Sequence, residues 1–158
     1  MPDGDRLEAE ASNLGDLLDS EKEFWSPLFQ RLYVWGKEEL DRLWQDIDEI
    51  IDGEDSSRFL GAIVFQDRSS HLPFAPRSYW IIDGQQRVTT LYLILCAIAE
   101  FAEKNGNTSF ATAIVTKYLL NQQEKTRNQA KIRPTNRDLQ QFARIILGVP
   151  PENSAEMR

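Results

Sequence analysis

One cysteine and one histidine are all that this 158-residue chain offers of the two side chains that most often ligate transition metals. A single Cys excludes an intramolecular disulfide and a cysteine metal cluster. Cys96 lies in the most apolar stretch, where a small buried side chain is the expected role. His71 stands among Leu72, Pro73 and Pro76 in a loop, so neither a Ser-His-Asp constellation nor a His-Asn-His nuclease signature can be assembled around it. The Gly-x-x-x-x-Gly-Lys-Ser/Thr phosphate loop is also missing. The N-terminus is polar and acidic, unlike a secretory leader. The main apolar run, Val88 to Ala99, is too short to span a bilayer. A cytoplasmic protein with no membrane partner is expected.

Basic charge is scarce and uneven. The net charge is −7. Residues 1–66 hold 17 acidic and 6 basic side chains, a net of −11, whereas residues 117–144 hold 7 basic and 2 acidic, a net of +5. Phosphate neutralisation along a duplex needs clustered Lys and Arg, so the overall acidity argues against this chain alone gripping long DNA. The basic segment suits a solvated helix face, a phosphate group or a partner. At 41% hydrophobic and 27% charged residues, the composition is that of a globular domain with a real core.

The expected organisation is a disordered stretch over 1–11, one domain over 12–148 and a tail over 149–158 that leads towards further domains. Asn13 to Leu18 suits a short helix. Glu23 to Phe29 reads as an extended segment that Pro27 keeps at an edge or end. Over Lys37–Ile51, Leu40, Leu43, Trp44, Ile47, Ile50 and Ile51 recur at helical spacing. Asp46, on the acidic face of that helix, is expected to be structural. Phe59 to Phe65 is a strand candidate, and Tyr79 to Ile82 is its hairpin partner across a Pro- and Ser-rich loop. The segment after Arg87 is apolar on nearly every side to Ala99, which predicts a buried central helix. Thr108 is expected to cap the next helix, with Ala111, Ile114, Val115, Tyr118 and Leu119 inward. A last helix is expected from Thr135 to Leu147.

The most informative residues are Asp83-Gly84-Gln85-Gln86-Arg87, set between the strand and the central helix. Gly84 permits a sharp turn and a close approach to the backbone. Free N–H groups and the helix dipole favour an anion at that end, typically a phosphate. Arg87 offers a planar fork of donors for phosphate oxygens. Asp83 can hold Mg2+ directly or through water. Gln85 or Gln86 can orient a water or read a base edge. The plainer alternative makes Asp83 a helix cap and Arg87 half of a surface ion pair. Gln30-Arg31, followed by Tyr33 and Trp35, is a second polar pair among aromatics that suits a nucleotide, with Trp35 weighted towards the core. Lys131 and Arg133 suit a solvated edge, or added positive charge in the same cleft.

The stretch Ile81 to Leu91 resembles the signature of the GmrSD restriction-endonuclease N-terminal domain family, which is ParB-like. Pro27 to Trp35, Trp44 to Ile47 and Phe59 to Val64 match further elements of that family in order and spacing. The resemblance implies an α+β fold similar to ParB and sulfiredoxin-like domains, a small mixed β-sheet flanked by helices. It implies binding and hydrolysis of a nucleoside triphosphate, with Mg2+, in the regulatory part of a modification-dependent DNA restriction system. Asp83, Gln86 and Arg87 are then the catalytic candidates. Gln30, Arg31, Tyr33, Gly84, Gln85 and Arg87 are the nucleotide-binding candidates, and Asp83 is the metal candidate. DNA is an indirect partner, reached through a nuclease domain or subunit, and an oligomer is compatible. The alternatives are a non-enzymatic DNA- or protein-interaction module and a weak ParB-like nicking nuclease.

Overall fold

The computed structural model describes residues 11–19, 22–27, 33–53, 57–68, 77–121 and 130–133. The architecture is α+β, with four α-helices and a four-stranded mixed sheet among the described residues. The stretches 1–10 and 134–158 lie outside the described residues, and so do the expected last helix and the expected tail.

Asn13 starts the first helix by accepting the Asp16 N–H on its side-chain oxygen at 2.8 Å. Helix α1 (Leu14–Asp19) buries Leu18 completely. Strand β1 (Lys22–Trp25) follows. Of the two positions expected from Pro27, an edge or an end, the structure shows the end. The sheet order is β2-β3-β1-β4, so β1 is interior, parallel to β3 (Arg77–Asp83) on one side and to β4 (Ile132–Arg133) on the other. Pro27 lies two residues beyond the strand, where its missing N–H costs the ladder nothing.

Strand β2 (Val64–Asp67) pairs antiparallel with β3, as the expected hairpin requires. It begins later than the expected Phe59, however. Gly61 adopts φ +94 and Phe59 is 85% exposed, so the run from Phe59 to Ile63 leaves the sheet despite its apolar content.

Helix α2 (Lys37–Ile51) has the bounds its periodicity predicts. Its start is fixed by Glu39, whose carboxylate accepts the Gly36 N–H at 2.9 Å. That bond holds the Glu39 carboxyl below the usual carboxylate range. The predicted inner face is mostly open: Leu43 is buried, whereas Trp44 and Ile51 are exposed. Asp46 is structural, since it pairs with Arg58 at 3.0 Å, and Glu49 joins the same guanidinium.

Helix α3 (Gln85–Lys104) is the central helix. Val88, Tyr92, Cys96 and Ala99 face the sheet and join Phe24, Ile81 and Ile132 in the core. The Phe24 ring lies 5.1 Å from Phe65 and 5.9 Å from Tyr79, so the core face carries an aromatic layer across three strands. Enclosure is not complete along α3. From Ala97 onward one side opens, with Ile98 at 41% and Phe101 at 70% exposure.

Helix α4 (Thr108–Ile114) is capped by Asn107, whose side chain accepts the Phe110 N–H, and not by Thr108. A π turn over Val115–Leu119 follows. Its last carbonyl, on Leu119, accepts the buried Tyr92 hydroxyl and the Lys131 N–H, which ties α3 to the approach of β4. No helix among the described residues is long and apolar enough to cross a membrane.

Candidate functional site

The turn after β3 is built around Gly84, at φ 85 and ψ 6, in the left-handed region. A methyl group there would meet the Ile63 side chain at 3.1 Å and its α-carbon at 3.3 Å. Glycine is therefore required both by the backbone conformation and by the segment that leads into β2. Gly84→Ala is expected to destabilise the domain by about 2 kcal/mol, mainly through the left-handed penalty. Chemical denaturation measures it, and an unchanged midpoint would show that the turn can relax.

No side chain among the described residues caps the first turn of α3. Asp83 does not reach over the helix start; its Oδ1 accepts the adjacent Gly84 N–H at 2.8 Å. The first intrahelical bond runs from the Val88 N–H to the Gly84 carbonyl at 3.1 Å. The backbone donors of that turn thus open on a cleft of about 310 Å³. Asp83 through Arg87 form one wall of the cleft, and Ile82, Ala62 and Trp35 form the rest.

Among the described residues Arg87 has no ion-pair partner. Its guanidinium lies flat on Gly61, close enough that a methyl there would sit 2.9 Å from the guanidinium carbon. Arg87 Nη1 also donates to the Ala62 carbonyl at 3.4 Å. The segment read as a strand from Phe59 is instead the shelf that carries Arg87 to the mouth of the cleft. The glycine at 61 was the signal for this, because a strand interior has little use for one.

The two glutamines differ. Gln86 is buried, and its Oε1 accepts the Val34 N–H at 2.7 Å and the Trp35 N–H at 3.3 Å. It holds the segment that brings Trp35 to the cleft. Gln85 is 7% exposed, and its Oε1 has no hydrogen-bond partner among the described residues. Tyr33 does not line the cleft. Its hydroxyl meets Thr90 Oγ1 at 2.7 Å, one turn along α3, while Trp35, weighted towards the core in the sequence, is half-buried on the cleft wall. Gln30 and Arg31 lie outside the described residues.

Lys131 and Arg133 sit neither on a solvated edge nor in this cleft. Lys131 is buried and donates to the Leu18 carbonyl at 2.6 Å and to the Lys117 carbonyl. Arg133 is buried on the far face of the sheet, where it pairs with Glu23 Oε1 at 3.3 Å and stacks 4.2 Å from the Trp25 ring centroid. Arg68 continues the stack, 4.6 Å from Trp25 and 4.2 Å from Trp80. These cations fasten the strands to one another.

No group of three or more His, Cys, Asp or Glu that could hold a metal ion occurs among the described residues. Burial pushes the Cys96 thiol up to about 12 and likewise raises the Tyr92 phenol. Neither is a nucleophile or base near neutral pH.

The family model for the GmrSD restriction endonuclease N-terminal domain matches residues 14–157. The chain belongs to that family, and with it to the components of restriction systems. No curated protein matches the chain in sequence.

Proposed function

We propose that the cleft beside Gly84 binds and hydrolyses a nucleoside triphosphate, and that this regulates DNA cutting by a nuclease domain or subunit of a modification-dependent restriction system. One observation carries the reading. An uncapped helix start, a left-handed glycine and a first-turn arginine line the same cleft. Backbone N–H groups at such a start favour an anion, and Gly84 admits it close to the main chain. Arg87, carried on Gly61, donates to the phosphate oxygens as they gather charge.

Mg2+ fits the donor set under one condition. Among the described residues one carboxylate, Asp83, stands on the cleft wall, and Mg2+ is commonly held by one or two carboxylates together with phosphates and waters. Asp83 would hold it, with the triphosphate supplying further oxygens. When bound, the ion neutralises phosphate charge. Gln86, assigned to catalysis from the sequence, acts here by fixing the Val34–Trp35 backbone. Tyr33 braces that segment against Thr90. The family membership supports the restriction context.

Arg87→Ala is expected to weaken triphosphate binding by about 1.5–3 kcal/mol, the range for a hydrogen bond to a charged group, with the melting temperature nearly unchanged. Titration calorimetry of both proteins with magnesium and a panel of nucleotides measures it, alongside phosphate release without DNA. Equal affinities would remove Arg87 from the site. Nucleotide binding without phosphate release would leave a binding module in place of an enzyme.

A further inference from the structure

Gln85 is a buried polar side chain whose acceptor lacks a donor, and it lies on the wall of the cleft. Only Ser26 Oγ shares that condition among the described residues, and Ser26 does not line the cleft. Native proteins seldom keep a buried acceptor unsatisfied, because water would have bonded it in the unfolded chain. The neighbouring Gln86 shows the contrast, with its carbonyl taken by two backbone N–H groups.

We propose that Gln85 is the specificity-determining residue of the cleft, its Oε1 accepting an O–H or N–H of the nucleoside part of the ligand. This rests on the nucleotide reading above. The chemistry selects the donor. Ionised phosphate oxygens are acceptors, so the triphosphate cannot satisfy a carbonyl. In a nucleoside triphosphate the donors are the sugar hydroxyls and the N–H groups of the base. Trp35, which lines the same cleft, supplies an aromatic surface on which a base stacks. Arg87 and the helix start then take the phosphates, and Gln85 and Trp35 take the nucleoside.

The test compares wild type with Gln85→Met, which keeps the length of the side chain and removes the acceptor. Each is titrated, in magnesium, with the four ribonucleoside triphosphates, their 2′- and 3′-deoxy forms, and inorganic tripolyphosphate. The preferred nucleotide is expected to lose about tenfold in affinity in the variant, the scale of one hydrogen bond, while tripolyphosphate binds both proteins equally. If the donor is a sugar hydroxyl, one deoxy form reproduces the loss in wild type. If it is on the base, the deoxy forms bind wild type normally, and differences among the bases shrink in the variant. An unchanged nucleotide affinity overturns the proposal, and so does an equal loss for tripolyphosphate, which would place Gln85 at the phosphates or the metal. Wild type binding neither nucleotide nor tripolyphosphate overturns the nucleotide reading itself. The variant is expected to melt at or above the wild-type temperature, and Gln85→Leu repeats the comparison with a branched side chain.

Discussion

Glu23→Ala is expected to cost about 3–5 kcal/mol of folding stability, the range for breaking a buried ion pair by removing one partner. Glu23 is 3% exposed on the interior strand β1. Its Oε1 accepts from Arg133 and from Asn121, each at 3.3 Å, and its Oε2 accepts the Trp25 indole N–H at 3.3 Å. Alanine would take this carboxylate from Arg133, a residue that is 7% exposed, and remove one acceptor from the Asn121 amide and one from the Trp25 indole. A typical domain holds about 5–15 kcal/mol in total, so the variant would sit close to unfolding. Glu23→Gln keeps the shape and one acceptor oxygen and is expected to lose less. Urea denaturation of the three proteins decides it. A loss under about 1 kcal/mol for Glu23→Ala would mean that desolvation already cancels the attraction in the wild type.

Val88→Asp is expected to abolish folding, while Ile98→Asp, on the same helix, is tolerated. Val88 is completely buried in a core whose described members are aliphatic, aromatic or thiol side chains, and none of these is a cation that could pair with a carboxylate there. Ile98 keeps 41% of its surface in solvent, and substitutions at such positions usually stay within about 0.5 kcal/mol. Circular dichroism and thermal melting distinguish the two. A cooperatively melting Val88→Asp would show that the N-terminal half of α3 can leave the sheet.

The sequence made the elements legible wherever one periodicity acted alone. Lys37–Ile51 is a helix with the expected bounds because fifteen residues of helical spacing meet no competing signal. The β3–Gly84–α3 junction was equally plain, since a β-branched run, a glycine and a long apolar segment follow one another. Partners were not legible. Phe59 to Ile63 has the composition of a strand, yet Gly61 takes a left-handed φ and lies against the guanidinium of Arg87, a neighbour far along the chain that meets a bare α-carbon there. Lys131 and Arg133 read as solvated because composition cannot show that the carbonyls of Leu18 and Lys117 and the carboxylate of Glu23 await them. Gln85 and Gln86 are identical in type and adjacent. Only the position of the Val34–Trp35 backbone separates the engaged amide from the open one.

The strand order has a consequence for synthesis. β1 is made early, but one of its two neighbours, β4, pairs Phe24 with Ile132 and Trp25 with Arg133. Glu23 meets its guanidinium partner across a separation of 110 residues. Until residue 133 has left the ribosome, one edge of β1 therefore stands open and the Glu23 carboxylate lacks that counter-ion. The nascent domain must keep this strand hydrated, or shielded by a chaperone, while the chain between β1 and β4 is made, and closure of this edge is the slow, long-range step of sheet assembly.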